Sequence, residues 1–273
     1  MPKGVVFEPR PESRYTASKT EPKQGQTEGY VLHDTVENKD VLFKPTKSEK
    51  EVERAQERGI QVGDYAARTK ATEIAAEKLG IPTPKVELVQ IGDKTGSVTD
   101  WVAGGYKSLW DLNDQNPILA KQVRESAEFK FFLDGIDALD YLTNNLDRGQ
   151  NLGNYLVKLA PDGSVAHVLA IDHDLTYTAT GPRARIEQRT RGLPEYYPTD
   201  VAAKLRQLGA DRAAFVKEIE PLVGPEAVPG VLHRLDEMIQ DLEIKTRAGT
   251  ADRPMPVGGP SGMGSPAKPG SAP

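Results

Sequence analysis

Cysteine is absent from this chain. Its absence excludes disulfides, thiolate zinc sites and a cysteine nucleophile, and it suits a reducing compartment. Long hydrophobic runs are missing as well. No stretch approaches the roughly 20 apolar residues that a membrane span needs. The N-terminal run MPKGVVFEPRPESRYTASK has no apolar core of the kind a signal peptide carries. The chain therefore reads as soluble and cytoplasmic, although a secretion signal without an apolar core would escape this test. Nor is there an excess of positive charge: 35 Lys and Arg face 40 Asp and Glu, for a net charge of -5. That balance argues against a dedicated nucleic-acid binder. The four histidines, His33, His167, His173 and His233, are scattered and form no His-x-x-x-His pair, which speaks against a zinc hydrolase. Neither a Gly-x-Ser-x-Gly elbow nor a Walker Gly-x-x-x-x-Gly-Lys-Ser/Thr loop is found.

What is present is enough apolar material, 37% of 273 residues, for one two-lobed domain with real cores. Residues 1–24 are polar and read as an irregular N-terminal segment up to about Thr20. From Gly249 the chain is rich in Gly, Pro and Ser, so residues 249–273 read as a disordered tail. Tyr30–Asp34 and Val41–Lys44 are β-prone runs flanking the turn-like Glu37-Asn38-Lys39-Asp40 and predict a hairpin. Helical spacing runs from about Glu51 to Leu79; Gly80 ends it, and Pro82 and Pro84 bar its continuation. A second hairpin is predicted over Val86–Ile91 and Ser97–Val102, around Gly92–Gly96. Asn116–Leu142 carries Phe129, Phe132, Leu133, Ile136 and Leu139 at helical spacing. Two short strands follow at 155–159 and 167–171, joined by Pro161-Asp162-Gly163. Helices are then expected near 200–208, 212–222 and 228–247. The pattern predicts an α+β fold: a sheet-rich lobe over 25–103 and a larger helical lobe over 104–248.

The sharpest chemical signal is Asp140-Tyr-Leu-Thr-Asn-Asn145-Leu-Asp147-Arg148-Gly-Gln-Asn-Leu-Gly-Asn154, followed by Val168-Leu-Ala-Ile-Asp172-His-Asp174. A helix runs into a polar loop, an Asn opens a strand, and the partner strand delivers an Asp. Phosphoryl transfer needs such a set. One carboxylate orients or deprotonates the nucleophile, while an Asn and an Asp offer hard oxygen ligands to magnesium. Taken singly, each of these residues would more often be a turn or capping residue.

This block resembles the catalytic and metal-binding loops of the atypical kinases that include phosphoinositide 3- and 4-kinases, actin-fragmin kinase and HipA-like kinases. The resemblance implies a bilobal kinase-like fold with ATP between the lobes. It implies Asp147 as the catalytic acid and Asn154 and Asp172 as metal ligands. Asp174 is either a further ligand or a strand-end cap. Two departures stand out. Gly149 replaces the family's usual His, and seven residues separate Asp147 from Asn154, where kinase catalytic loops use about five. Asp140, Asn145 and Asn151 are therefore fallback candidates.

Upstream, Val41-Leu-Phe-Lys44 resembles the strand that carries the ATP lysine. The helix containing Glu73 resembles the one whose Glu holds that lysine, with Glu77 as the alternative. Gly25 and Gly29 stand where a phosphate-covering loop belongs. Asp100, Trp101 and Val102 stand where the hinge pairs with adenine, although a strand Trp is more often core. The implied cofactors are ATP and Mg2+, with Mn2+ as the alternative metal. The expected acceptor is a protein Ser/Thr hydroxyl. A lipid or small-molecule acceptor, AMP transfer and an inert pseudokinase scaffold stay open.

Overall fold

The computed structural model describes residues 5–18, 29–46, 65–145, 148, 151–177 and 192–253. The first lobe is a six-stranded sheet of order β1-β5-β6-β4-β3-β2. Its strands are β1 (Glu8–Arg10), β2 (Tyr15–Ala17), β3 (Tyr30–Asp34), β4 (Lys39–Pro45), β5 (Val86–Ile91) and β6 (Lys94–Asp100). Within this sheet the β1–β5 pair is parallel and the other pairs are antiparallel. β1 and β2 lie at opposite edges yet are joined by residues 11–14 alone, so the sheet must curl until its edges approach. The Arg10 guanidinium spans the gap, donating to the Tyr15 hydroxyl at 3.0 Å.

The N-terminal segment is thus not irregular as its polarity implies. Residues 8–17 supply both edge strands. Three-residue strands are too short to show a readable alternation. They form because the ladders of β5 and β3 each present an open edge to pair with. Arg14 fastens the segment through a fork onto the Asp34 carboxylate (2.7–2.9 Å), and Asp34 in turn caps the β3–β4 turn by accepting from the N–H of Val36 and Glu37.

The first predicted hairpin forms, with Asn38 in the left-handed region at the turn. The second forms with a tighter turn than expected. Ile91 pairs with Lys94, so Gly92 and Asp93 alone make the bend, and Gly92 adopts φ +60°. Gly96 lies within β6, where a Cβ would collide with the Lys44 carbonyl oxygen. Trp101 and Val102 fall just beyond the strand.

Helix α1 (Tyr65–Leu79) ends as the sequence predicts. Gly80 takes φ +70°, its N–H donates to Glu77 O, and the Ile81 N–H donates to Ala76 O, the double bond of a Schellman cap. The expected start near Glu51 lies outside the described residues.

The second lobe opens with β7 (Tyr106–Ser108), α2 (Leu109–Gln115), α3 (Pro117–Glu125) and α4 (Ala127–Thr143). The single helix predicted over 116–142 is broken at Ser126. This residue has extended backbone (φ −65°, ψ 150°), and its hydroxyl accepts the Phe129 N–H that starts α4. The three-stranded sheet β7-β8-β9 follows, with β8 (Tyr155–Leu159) and β9 (Val165–Ala170) as its hairpin. β10 (Tyr197–Pro198), α5 (Thr199–Ala210), α6 (Arg212–Val223), α7 (Val228–Ala248) and β11 (Asp252–Arg253) complete the lobe. The disorder expected from Gly249 does not begin there. β11 pairs parallel to β10, Tyr197 N–H donates to Ala251 O at 2.9 Å, and Ala251 is buried. The remainder of that tail lies outside the described residues.

One large core joins Phe129, Phe132, Leu139 and Leu142 of α4 to Val201, Leu205, Phe215, Leu235 and Leu242 of α5, α6 and α7. α1 belongs to this core through Ala71, Ala75, Ala76 and Leu79, and it packs on α5 and α6 as well as on β5. The sheet lobe has a separate core built on Val41, Phe43, Val89 and Val98. No helix among the described residues is long and apolar enough to cross a membrane.

Candidate active site

The β8–β9 hairpin sets the geometry. Tyr155 pairs with Ala170, and the Ile171 N–H donates to Asn154 O at 3.1 Å. Asn154 and Asp172 therefore emerge at the same end of one hairpin. Asp172 then leaves the ladder with φ +61°, a region that residues other than Gly, Asn and Asp rarely adopt. Its carboxylate accepts a hydrogen bond from the Lys44 ammonium at 2.6 Å. This ion pair crosses from β4 of the sheet lobe to the end of β9 in the helical lobe. Both side chains keep about a quarter of their surface open, 23% for Lys44 and 27% for Asp172, so a ligand can reach them. Burial acts to raise the Asp172 pKa, but the charge and hydrogen bond of Lys44 outweigh it and hold the carboxyl below its usual range.

Behind this pair, Arg148 is 1% exposed. Its Nε donates to both Asp140 oxygens (3.0 and 2.8 Å), and its Nη1 donates to the carbonyls of Asn154 and Ile171, each at 2.7 Å. Its Nη2 donates to His173 Nδ1 at 2.7 Å. Burial, reinforced by the neighbouring guanidinium, pushes the His173 pKa far down, so the ring is neutral with Nδ1 as acceptor. The chain after Asp172 docks on α1. Thr176 O accepts from Arg68, the Thr72 and Thr176 hydroxyls meet at 3.0 Å, and the Tyr177 hydroxyl donates to Ala71 O at 3.0 Å. Asp174 is buried beside this docking segment.

The predicted set is only partly assembled. Lys44 meets Asp172, and Asn154 stands at the same hairpin end, while Asp174 is buried two residues beyond Asp172. Gly29 lies close to Lys44, since a Cβ added to it would stand 3.8 Å from Lys44 Cγ. Glu73 does not hold Lys44. Its carboxylate pairs with Lys70 on the same helix, and burial raises its pKa despite that pairing. The reason is that α1 is seated in the core of the helical lobe, which fixes where its polar face points. Glu77 is exposed. The Asp100 carboxylate pairs with Lys39 Nζ at 2.6 Å, and the Trp101 N–H donates to Asp40 O at 3.0 Å. The second bond commits one of the backbone groups expected to face adenine. Asp147 and Gly25 lie outside the described residues, as does Gly149. The fallback residues have local work: Asp140 holds Arg148 and accepts from Asn145 Nδ2, and the Asn151 side chain accepts the Gly153 N–H.

As a metal site the donors are all oxygens and few. Among the described residues no group of three or more His, Asp or Glu side chains could cage an ion. Two carboxylates and an amide fit magnesium, which commonly binds through one or two carboxylates and completes its octahedron with phosphates and water. Sequence reasoning missed the central part of Arg148, because a motif shows the residue type and not its burial.

No protein-family model matches the chain, and no curated protein does. Solved structures do match in shape. The Helicobacter pylori proinflammatory kinase CtkA superposes with a TM-score of 0.51 at 12% identity, covering 82% of this chain and 91% of that one. The fold is kinase-like. The Golgi casein kinase superposes with a TM-score of 0.53 at 12% identity over 85% of this chain and 73% of its own. Its Mn/ADP-bound form gives 0.51 at 11% identity, over 80% of this chain and 70% of its own. At this identity the likeness establishes the fold and leaves the chemistry to the residues.

Proposed function

We propose that the protein is an ATP- and magnesium-dependent phosphotransferase acting on a protein Ser/Thr hydroxyl. The observation that carries this reading is the 2.6 Å Lys44–Asp172 pair across the lobes, with Asn154 at the same hairpin end. In this reading the Lys44 ammonium turns to the α- and β-phosphates when nucleotide enters. Asn154 and Asp172, with Asp174 as the further candidate, would hold Mg2+ or Mn2+, which would supply positive charge to offset that of the phosphates. Asp147 orients the acceptor hydroxyl and accepts its proton, and Arg148 directly follows it as in the family's Asp-Arg pair. Gly25 and Gly29 would let backbone N–H groups approach the phosphates, and Val102, just beyond the Trp101 N–H that Asp40 occupies, would offer its backbone to adenine. The Mn/ADP complex of the Golgi casein kinase supports the choice of nucleotide and metal class. A protein acceptor is favoured because the Golgi casein kinase bears the name of a protein substrate. The net charge of -5 also gives no attraction to an anionic lipid surface.

The test is transfer from γ-labelled ATP to the protein itself, to casein and to myelin basic protein, with mass mapping of the product. Asp172→Ala should lower transfer by at least about 10²–10³-fold, the scale of losing one electrostatic contact to the transferring group. Its melting temperature should fall modestly, because alanine is strained at φ +61° and Lys44 loses its carboxylate partner, so transfer is compared on protein shown to be folded. Full transfer by folded Asp172→Ala would remove the assignment. A mass gain of AMP would make the enzyme a nucleotidyltransferase. Nucleotide binding without any transfer would make it a binding module.

A further inference from the structure

Arg148 lies too deep to touch a substrate, yet each of its three guanidinium nitrogens is engaged close to the site. Three of its partners are telling. The Ile171 carbonyl precedes Asp172 directly and the His173 ring follows it directly, so one guanidinium grips the chain on both sides of that residue. Its third partner is the carbonyl of Asn154. The β8–β9 ladder ends at this point, since Asp172 turns away at φ +61° and cannot continue it. Nη1 donates to a carbonyl on each strand at 2.7 Å and so serves as the rung that the backbone lacks. A strained residue keeps its conformation only where its surroundings over-determine it. Arg148 does this, and the bond from Nε to both Asp140 oxygens anchors it to the last turn of α4. That turn closes in a Schellman cap at Asn144, whose φ is +53°.

We infer that Asp140 and Arg148, with His173, are positioning residues that set the separation and orientation of Asn154 and Asp172, and through them the metal affinity of the nucleotide-bound protein. The inference rests on the phosphotransferase reading for the identity of the ligand. The planar guanidinium is required because its donors point to carboxylate, carbonyls and ring in one plane. A lysine supplies the charge without the fork. His173 is required as an acceptor in a buried place, and an asparagine oxygen can stand in for Nδ1 whereas a leucine cannot. Outer partners of metal ligands typically tune affinity by about 10–100-fold.

The experiment measures Mn2+ binding by electron paramagnetic resonance in the presence of ADP, and separately ADP binding in EDTA, on the full chain. Arg148→Lys should weaken Mn2+ by about 10–100-fold and leave ADP binding in EDTA within about twofold. His173→Leu should weaken Mn2+ in the same direction, and His173→Asn should restore it. Unchanged Mn2+ affinity in folded Arg148→Lys would overturn the inference, as would an equal loss of ADP affinity in EDTA. If Arg148→Lys does not fold, the histidine pair decides, and equal Mn2+ affinity of the Leu and Asn variants overturns it. If the unmutated protein binds no Mn2+ with ADP, the phosphotransferase reading itself fails. If it binds and Arg148→Lys binds equally well, only the positioning inference fails.

Discussion

The two lobes hold their halves of the site by different means. Lys44 stands on a sheet whose own core is built on four buried side chains, Val41, Phe43, Val89 and Val98. Asn154 and Asp172 stand on a hairpin that is continuous with the large core of α4 to α7. The sheet lobe supplements its small core with ion pairs, Arg14 with Asp34 and Arg10 with Glu8 and Glu87. The helical lobe relies on apolar burial and has taken α1 as well, although α1 lies between sheet strands in the sequence. The difference teaches that the hairpin half of the site is the more rigid and the Lys44 half the more deformable. Stability within a fold follows local apolar burial.

The largest test of that contrast uses one substitution in each core. Phe132 is 1% exposed in the large core, and Phe132→Ala should cost about 3–5 kcal/mol in denaturant unfolding. Phe43 is 3% exposed in the small core, where Phe43→Ala should cost less, at or below the low end of about 3 kcal/mol, because a thin lobe can collapse around the gap. Hydrogen exchange should show the loss confined to β3, β4 and β6 for Phe43→Ala and spread over both lobes for Phe132→Ala. Equal cost and equal spread would break the comparison.

Next in size is the C-terminal pairing. A chain ending at Ala248 loses β11 and leaves the Tyr197 N–H without the Ala251 carbonyl. A buried donor left unpaired costs about 1–3 kcal/mol. The melting temperature should fall by several degrees, with the loss in the helical lobe. An unshifted melting curve would show that β10 needs no partner.

Acid should single out the sheet lobe. Burial acts to raise the Asp34 pKa, but the Arg14 fork and the N–H groups of Glu37 and Val36 outweigh it and hold the carboxyl below its unfolded value. A depressed folded pKa means that the unfolded chain binds the proton first. The stabilisation is therefore present above about pH 4, the unfolded carboxyl range, and is lost as the pH falls through the folded value. Amide exchange in β2 and β3 should accelerate below that point, and Arg14→Met should flatten the dependence. Acid exchange that starts in α4 instead would contradict the picture.

The smallest effect belongs to the Lys78–Glu218 pair, 2.7 Å apart between α1 and α6. Both side chains are about two-fifths exposed, so Lys78→Met should change stability by no more than about 0.5 kcal/mol. A larger loss would mean that charge, and not the alanine face of α1, holds this helix to the helical lobe.

Local signals were legible wherever they rest on a few consecutive residues. The hairpin at β3 and β4 announces itself through β-prone runs around a polar turn. The end of α1 is written in Gly80 and Pro82, and the β8 strand in Tyr155–Leu159. The placement of Asn154 and Asp172 at one hairpin end follows from the same local logic. The break at Ser126 was hidden because the apolar spacing on either side continues as if one helix ran through. The strands at 8–17 were hidden because they exist only as partners to ladders formed far along the chain.

By itself, then, the sequence determined the main hairpins and helices, the two-lobed division, and the hairpin that brings an amide and a carboxylate together. These depend on turn chemistry and periodicity, which act over a few residues. Only the tertiary structure decided which charges meet. It joined Lys44 to Asp172, seated α1 in the helical core, and buried Arg148 between Asp140, two strand carbonyls and His173. The physical reason is that a charged side chain takes whichever partner burial leaves within reach. Burial is a property of the whole packed chain, so no local pattern encodes it.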